Sequence, residues 1–597
     1  MKKIKALKMN LFQELRRRRV FRTAALYVVA AWIVLQVADL ALPALNIPEQ
    51  AIRYVWLATI LGFPVAMLFG WRYQVTENGI VRTLPVAAGE KADMQLRVTD
   101  YALLVALAAV AVAIAYRAVE DIRNVEPAYA ISALGNEILP NSIAFLPLAN
   151  LTGELGQEYF VEGIHEAITS VLSQISGLRV KSRRSTSRYA GVQKSTSDIG
   201  RELGVANVLE GSVFRTGNKI RVMLQLIDAA SDENIWAQSF EREVKDIVAL
   251  QAEIARTVAG EIDITLTPDE VRRLRTAREV DPDVYQSYLK GMHFLKSLDG
   301  EVVELGMNHL HEAIEKGPRD PFAYAGLALG YNTIGHGLDT HGAFPKAAAA
   351  ARKALELDDQ SGEAWAALGE AQLYYDWDWE ASEASFLRSM QLSPNLDDAY
   401  AHYSYLLILF GRVEEAFAAS VKTRELSPVE PLWAGFTAWL YMIEGRLDDA
   451  LPIAEECLSY EPEFWLCLYT IGQIHTVQGN FDEAIAAHER LLPQPQFANW
   501  ALGITYGLAG ERDKALASIE AMKATGGPRD ILHIAMAYSA LGDVDEALDW
   551  MDKAVEIRAD WLPWVARPHA YGGALEAIRD EPRFRAMVDE LGIDLPE

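Results

Sequence analysis

The sequence predicts a multi-domain chain built of three parts in order: three transmembrane helices, a small α/β domain with the element order βαβαβββα, and an all-α solenoid of helix–turn–helix repeats. Three observations predict it. The first is a period: Gly411, Gly445 and Gly479 recur at 34 residues, as do Ala416, Ala450 and Ala484, and Pro394, Pro428 and Pro462. That is the spacing of a helix pair that stacks on copies of itself. The second is a charge asymmetry. Residues 1–117 carry 15 Lys/Arg against 7 Asp/Glu, a net of +8, which leaves −34 for the rest of a chain whose net charge is −26. The third is a change of hydrophobic period between residues 140 and 265, where short strand-like runs replace helical spacing.

At 597 residues the chain is too long for one core. The N-terminal part, 1–117, opens with Lys2, Lys3, Lys5, Lys8 and Arg16 to Arg19, and then turns apolar. Spans are expected at about 20–42, 52–71 and 101–116, since about 20 apolar residues cross a bilayer. The N-terminal flank of the first span has nine basic residues, counting Arg22, the first connection holds Arg53, and the second holds Arg72, Arg82, Lys91 and Arg97. The positive-inside rule then places the N-terminus in the cytoplasm and everything after Arg117 outside it. Asp39 falls near the outer end of the first span, as an intramembrane acid or an interfacial one. The phrase "FQELRRRRVFRTAALYVVAAWIVLQVAD…FPVAMLFGWRYQVTENGIVR" resembles the membrane segment of many bacterial tetratricopeptide-repeat membrane proteins. That resemblance implies a Gram-negative inner membrane and a periplasmic C-terminal part.

Residues 118–139 read as a linker. In 140–265, "SIAFLPLANL" is a buried strand, and Phe160, Ile164, Ile168 and Leu172 sit at helical spacing. "LRVKS" is a second strand, and "TSDIGRELG" a capped helix that stops at Gly204. Two strands turn at Thr216–Asn218, with Ile220, Val222, Leu224 and Leu226 alternating onto one face. An edge strand and a closing helix follow. The stretches "SIAFLPLANLTGELGQEYFVEGIHEAI" and "RELGVANVLEGSVFRTGNKIRVMLQLIDA" resemble the domain similar to the amino-terminal part of the translocation protein TolB. The resemblance implies an interaction module of envelope and signalling proteins and no catalyst. His165–Glu166 has no second His at zinc spacing, and Glu210–Gly211 reads as a strand bend. No phosphate-binding glycine loop occurs.

From Asp281 to residue 560 the chain returns to helix pairs, about eight repeats. "AYAHYSYLLILFGRVEEAFAASVKTRELSP" and the two segments after it match the tetratricopeptide repeat pattern. Residues 561–597 read as a capping helix. His336 and His341 fall in a Gly-rich loop, either solvated or a weak metal site. Cys457 and Cys467, the only cysteines, lie near each other across a turn, so a disulfide and two small buried side chains are both open. Tyr405, Trp439 and Gln473 share one repeat position on the first helices. They form a column that is either a peptide groove with aromatic anchors or inter-repeat packing.

The expectation is a membrane-anchored periplasmic scaffold that binds a protein or peptide partner through the solenoid. The alternative is a non-catalytic sensor that signals through a separate cytoplasmic partner. No enzyme constellation, cofactor or metal site is read. The acidic outer part disfavours nucleic acid, and homo-oligomers are allowed.

Overall fold

The computed structural model describes residues 73–76, 79–82 and 138–593, apart from 153–156, 276–278, 298–299, 337–338 and 568. The chain divides into two compact units, Met1–Pro127 and Ala128–Glu597. In the first, β1 (Tyr73–Thr76) and β2 (Gly79–Arg82) pair antiparallel, Tyr73 opposite Arg82. This hairpin stands where the sequence predicts a connecting loop.

The expected fold class needs correction. Among the described residues no helix is long and apolar enough to cross a membrane, so three transmembrane helices are not part of the fold the structure shows. The three expected spans, 20–42, 52–71 and 101–116, and Asp39 lie outside the described residues. Thr340–Leu357, an 18-residue helix, carries Lys346, Arg352, Lys353 and Glu356 outside its buried alanine face. It is the amphipathic helix of a water-facing solenoid.

The α/β part of the second unit comprises β3 (Ser142–Phe145), β4 (Ala149–Asn150), α1 (Glu158–Ser173), β5 (Arg179–Val180), α2 (Arg183–Ser187), α3 (Thr196–Leu203), β6 (Asn207–Thr216), β7 (Lys219–Asp228), β8 (Glu233–Glu243) and α4 (Ile247–Glu261). Its order is thus ββαβααβββα. The two extra elements, β4 and α2, are 2 and 5 residues long, too short for a hydrophobic period to betray. The sheet order is β5-β3-β6-β7-β8, with β4 also on β6. β3 lies parallel to both β5 and β6, while β6–β7–β8 is antiparallel. Ile164, Ile168 and Leu172 of α1 and Ile254 and Val258 of α4 are fully buried in one core with Val213, Ile220 and Val222 of the sheet. α3 caps part of the other face through Ile199 and Leu203. Gly211 is required where β6 crosses β7: a Cβ there would collide with the Met223 carbonyl.

After a short helix α5 (Pro268–Arg273), eight helix pairs follow. They are α6 (Pro282–Phe294) with α7 (Gly300–Lys316), α8 (Pro321–Gly335) with α9 (Thr340–Leu357), α10 (Gly362–Ala371) with α11 (Trp379–Leu392), and α12 (Asp397–Leu409) with α13 (Val413–Leu426). Next come α14 (Pro431–Ile443) with α15 (Leu447–Tyr460), α16 (Trp465–Val477) with α17 (Phe481–Glu489), α18 (Pro495–Leu508) with α19 (Arg512–Thr525), and α20 (Pro528–Leu541) with α21 (Val544–Glu556). Gly411, Gly445 and Gly479 take φ of +65°, +73° and +76° just past their helices, the left-handed termination only glycine accepts cheaply. Ala416, Ala450 and Ala484 are fully buried in the second helices of their pairs.

The α/β part and the solenoid share more than a tether. Val280, Tyr285 and Leu289, at and before α6, belong to the core of the α/β part. The Asn395 side chain donates to the carbonyls of Leu178 at 3.0 Å and of Ser173 and Ile175 at 3.3 Å. Its Oδ1 accepts from Val180 N. Lys181 Nζ donates to the Glu425 carbonyl at 2.6 Å, and Arg184 pairs with Asp398 at 2.9 Å. An arginine- and lysine-rich edge of the α/β part therefore meets carboxylates at the repeat ends.

Beyond α21, where the sequence predicts a capping helix over 561–597, the described residues form two short turns and one short helix. Leu562–Ala566 and Ala570–Gly573 are 3₁₀ turns, and only α22 (Pro582–Glu590) is α-helical. Pro563, Gly572 and Gly573 deny the intervening stretch a continuous helix.

Candidate functional site

The first helices of the pairs form one face of the solenoid, and on it lies the column Tyr405, Trp439 and Gln473. The three are 2%, 4% and 0% exposed. What covers them is the chain itself. The stretch 560–578, here called the strap, runs back across the first helices, with Leu562, Trp564 and Val565 fully buried. Trp564 Nε1 donates to the Tyr405 carbonyl at 3.2 Å. Trp561 stacks on Phe436, ring centroids 5.3 Å apart and planes 12° apart, and meets Trp439 edge-on at 5.3 Å. Gly572 sits over Gln473, where a Cβ would strike Oε1. The column is thus brought together on one face, and its aromatic members pack against the strap rather than lining an open groove.

A charged knot ties the strap's start. Asp560, 1% exposed, accepts from Arg529 Nη2 at 2.9 Å and faces His336 Nδ1 at 3.3 Å. His336 Nε2 donates to Glu370 Oε1 at 2.8 Å, and Asn332 donates to Glu370 Oε2 at 2.9 Å. Burial alone would lower the His336 pKa, but its bonds to the two carboxylates outweigh that and raise it. Burial would raise Asp560, yet Arg529 and the imidazolium hold it below its usual value. His336 is therefore no loop residue: it is the C-cap of α8 and a bridge to the strap. His341 is separate, its Nδ1 facing the Tyr375 hydroxyl at 3.0 Å.

The other residues singled out in the sequence are structural. His165 is buried with Nε2 at 2.9 Å from the Phe145 carbonyl, and burial pushes its pKa down to about 4. Glu210 accepts from Gln225 across β6 and β7. Cys457 and Cys467 form a disulfide between the end of α15 and the start of α16.

Two concavities stand out among the described residues. A groove of about 700 Å³ opens on the α/β part between the 189–196 segment and β6–β8. Its charged groups are paired, Lys194 with Glu202 and Glu210 with Gln225. The second is a pocket of about 50 Å³ on the solenoid's first-helix face beside the strap, walled by Trp439, Trp465, Tyr469, Trp500, Trp561 and Tyr571. Here Trp465 stacks on Phe497 at 4.1 Å, and Trp500 on His533 at 4.7 Å. Trp439 is the one column residue that reaches it. The 34-residue period could not reveal this pocket, because Trp561 and Tyr571 come from outside the repeats.

Comparison with known proteins identifies the helix pairs. A tetratricopeptide repeat model matches residues 441–503, and another matches 531–560. The solenoid contains tetratricopeptide repeats. Among curated proteins, the chain is 36% identical over 188 residues to "Putative adenylate cyclase 3" of Rhizobium meliloti, covering 32% of each chain. It is 22% identical over 341 residues to "Transcriptional regulator HilA" of Salmonella typhimurium, covering 56% of this chain and 59% of the relative. The chain thus spans about a third and about three-fifths of these two relatives. Among solved structures, a human IFIT1 dimer with PPP-AAAA aligns at 17% identity and a TM-score of 0.34, over 53% of this chain and 90% of that one. These matches describe what the chain is similar to.

Proposed function

We propose that this protein is a non-catalytic scaffold that captures a protein segment on the first-helix face of its tetratricopeptide array. The observation that carries the reading is the aromatic pocket beside the strap. Rigid Trp and Tyr side chains converge there on a space left unfilled, and such residues dominate binding energy at protein interfaces. A partner would anchor one apolar side chain among Trp465, Trp500 and Tyr571. The α/β part, which resembles the TolB amino-terminal domain in sequence, would present the array as a second interaction module. The Cys457–Cys467 disulfide supports an oxidising compartment such as the periplasm, since such bonds persist there and are rare in the cytosol.

The test is a photo-reactive residue at position 465 in cells, compared with one at Leu492, which is 58% exposed away from the pocket. A partner adduct from 465 that Trp500→Ala abolishes, with none from 492, is the expected result. Equal adducts from both sites would defeat the pocket. A second reading, a signalling component acting through a separate partner, draws support from relatives named as a cyclase and a transcriptional regulator. A partner carrying a nucleotide-cyclase or DNA-binding domain would favour it.

A further inference from the structure

The strap is buried along its length, with Ala570 and Tyr571 in the same core as Trp564, but its two turns rest on differently satisfied surfaces. Leu562, Trp564, Val565 and Ala566 are fully buried, so the first turn is part of the core. The second turn, Ala570–Gly573, covers the inner side of α16, and the surface beneath it is poorly satisfied. Gln473 is fully buried with neither Oε1 nor Nε2 hydrogen-bonded, and the Tyr469 hydroxyl and Thr470 Oγ1 are also buried without partners. Four orphaned polar atoms within two turns of one helix are unusual, because a buried polar group normally finds a partner. Each costs its desolvation with no return. The covering turn is strained as well: Tyr571 takes φ +55°, ψ +38°, a left-handed conformation that a bulky side chain adopts only under constraint.

We propose that the turn Ala570–Gly573 is a lid over a binding site for an extended peptide, and that Gln473 is the residue which recognises the peptide backbone. A primary amide offers an N–H donor and a carbonyl acceptor side by side, which matches the N–H and C=O of an extended residue. With the lid down, the Gln473 amide faces Gly572 and pairs with nothing. With the lid raised, the amide and the Tyr469 hydroxyl meet a chain lying along α16, next to the pocket walls Trp465 and Trp500 that take a side chain, while Tyr571 moves with the lid. The occupant is an extended segment read through its main chain, with one apolar side chain as anchor. This rests on the groove reading above and adds its gate.

Hydrogen exchange of the full chain, read by mass spectrometry, tests the lid. Amides of 570–574 are expected to exchange at least 100-fold faster than those of 562–566, and equal protection of the two turns would overturn it. The recognition claim is tested with a fluorescein-labelled decapeptide mixture, randomised at every position, beside a backbone N-methylated copy. The native chain should bind the first at least tenfold tighter, and equal binding or none would sink the peptide site. Gln473→Leu, with Gln473→Met as a second variant, should raise the Tm by about 2 °C or more and weaken peptide binding at least tenfold. A lowered Tm in both variants would mean that the amide is a packing residue. If Trp500→Ala abolishes binding and both Gln473 variants retain it, the lid claim fails while the groove reading stands. If peptide binds and none of the three substitutions weakens it, the groove reading fails too.

Discussion

The indole of Trp564 donates to the backbone carbonyl of Tyr405, 159 residues earlier in the chain. One end of this bond lies in the strap and the other on the first-helix face of the fourth repeat. Through it the C-terminal stretch becomes part of the solenoid's core. Trp564→Ala should therefore destabilise the solenoid by about 3–5 kcal/mol, the usual cost of truncating a buried aromatic. Urea unfolding followed by circular dichroism measures this, and a change within about 0.5 kcal/mol would show the strap to be peripheral.

Asn395 bonds four backbone groups of the α/β part from a single repeat end. Asn395→Ala leaves buried carbonyls without a donor, at a cost of about 1–3 kcal/mol for an unsatisfied group. The expected sign is a lower Tm, with the α/β part becoming protease-sensitive before the repeats. Uniform digestion would argue that the α6 packing alone joins the two.

The Cys457–Cys467 bond closes a short loop between adjacent repeats. Its reduction, or a Cys457→Ser/Cys467→Ser double variant, should cost about 2–4 kcal/mol, the typical contribution of a disulfide. Intact mass of protein isolated from its own compartment, with thiols blocked, decides whether the bond forms there. Two free thiols would also remove the support for an oxidising location.

Acid should destabilise this protein well above the carboxylate range. His165, His488 and His533 are buried and His402 is largely so, and desolvation lowers each pKa to about 4. Their unfolded values lie near 6.5, so between pH 6.5 and 4 the unfolded chain binds more protons and stability falls as pH falls. Each contributes on the order of 1.4 kcal/mol per pH unit in that window. His336 adds nothing to this slope. Its pKa is raised, so its contribution is complete below the unfolded value and is lost as pH rises through the folded one. A Tm flat from pH 7 to 5 would refute the neutral burial of the four.

The sequence alone determined the parts whose signal is local. A 34-residue period, Gly at each left-handed turn and Ala buried in each second helix follow from backbone conformation and the packing of two helices. They are written into single residues, as the φ values of Gly411, Gly445 and Gly479 show. The alternation in β7 and the helical spacing in α1 were legible for the same reason. The membrane-spanning class was read from apolar runs, flanking basic residues and a resemblance, and no described helix is long and apolar enough to cross a membrane. Only the tertiary structure decided what covers Tyr405, Trp439 and Gln473. Their shared position was visible in the repeat, but the strap comes from outside the period and joins them by contacts 99 to 159 residues apart in sequence. Such contacts leave no local pattern, because the complementarity of Trp561 to Phe436, of Trp564 to Tyr405 and of Asp560 to His336 and Arg529 exists only once both sides are folded.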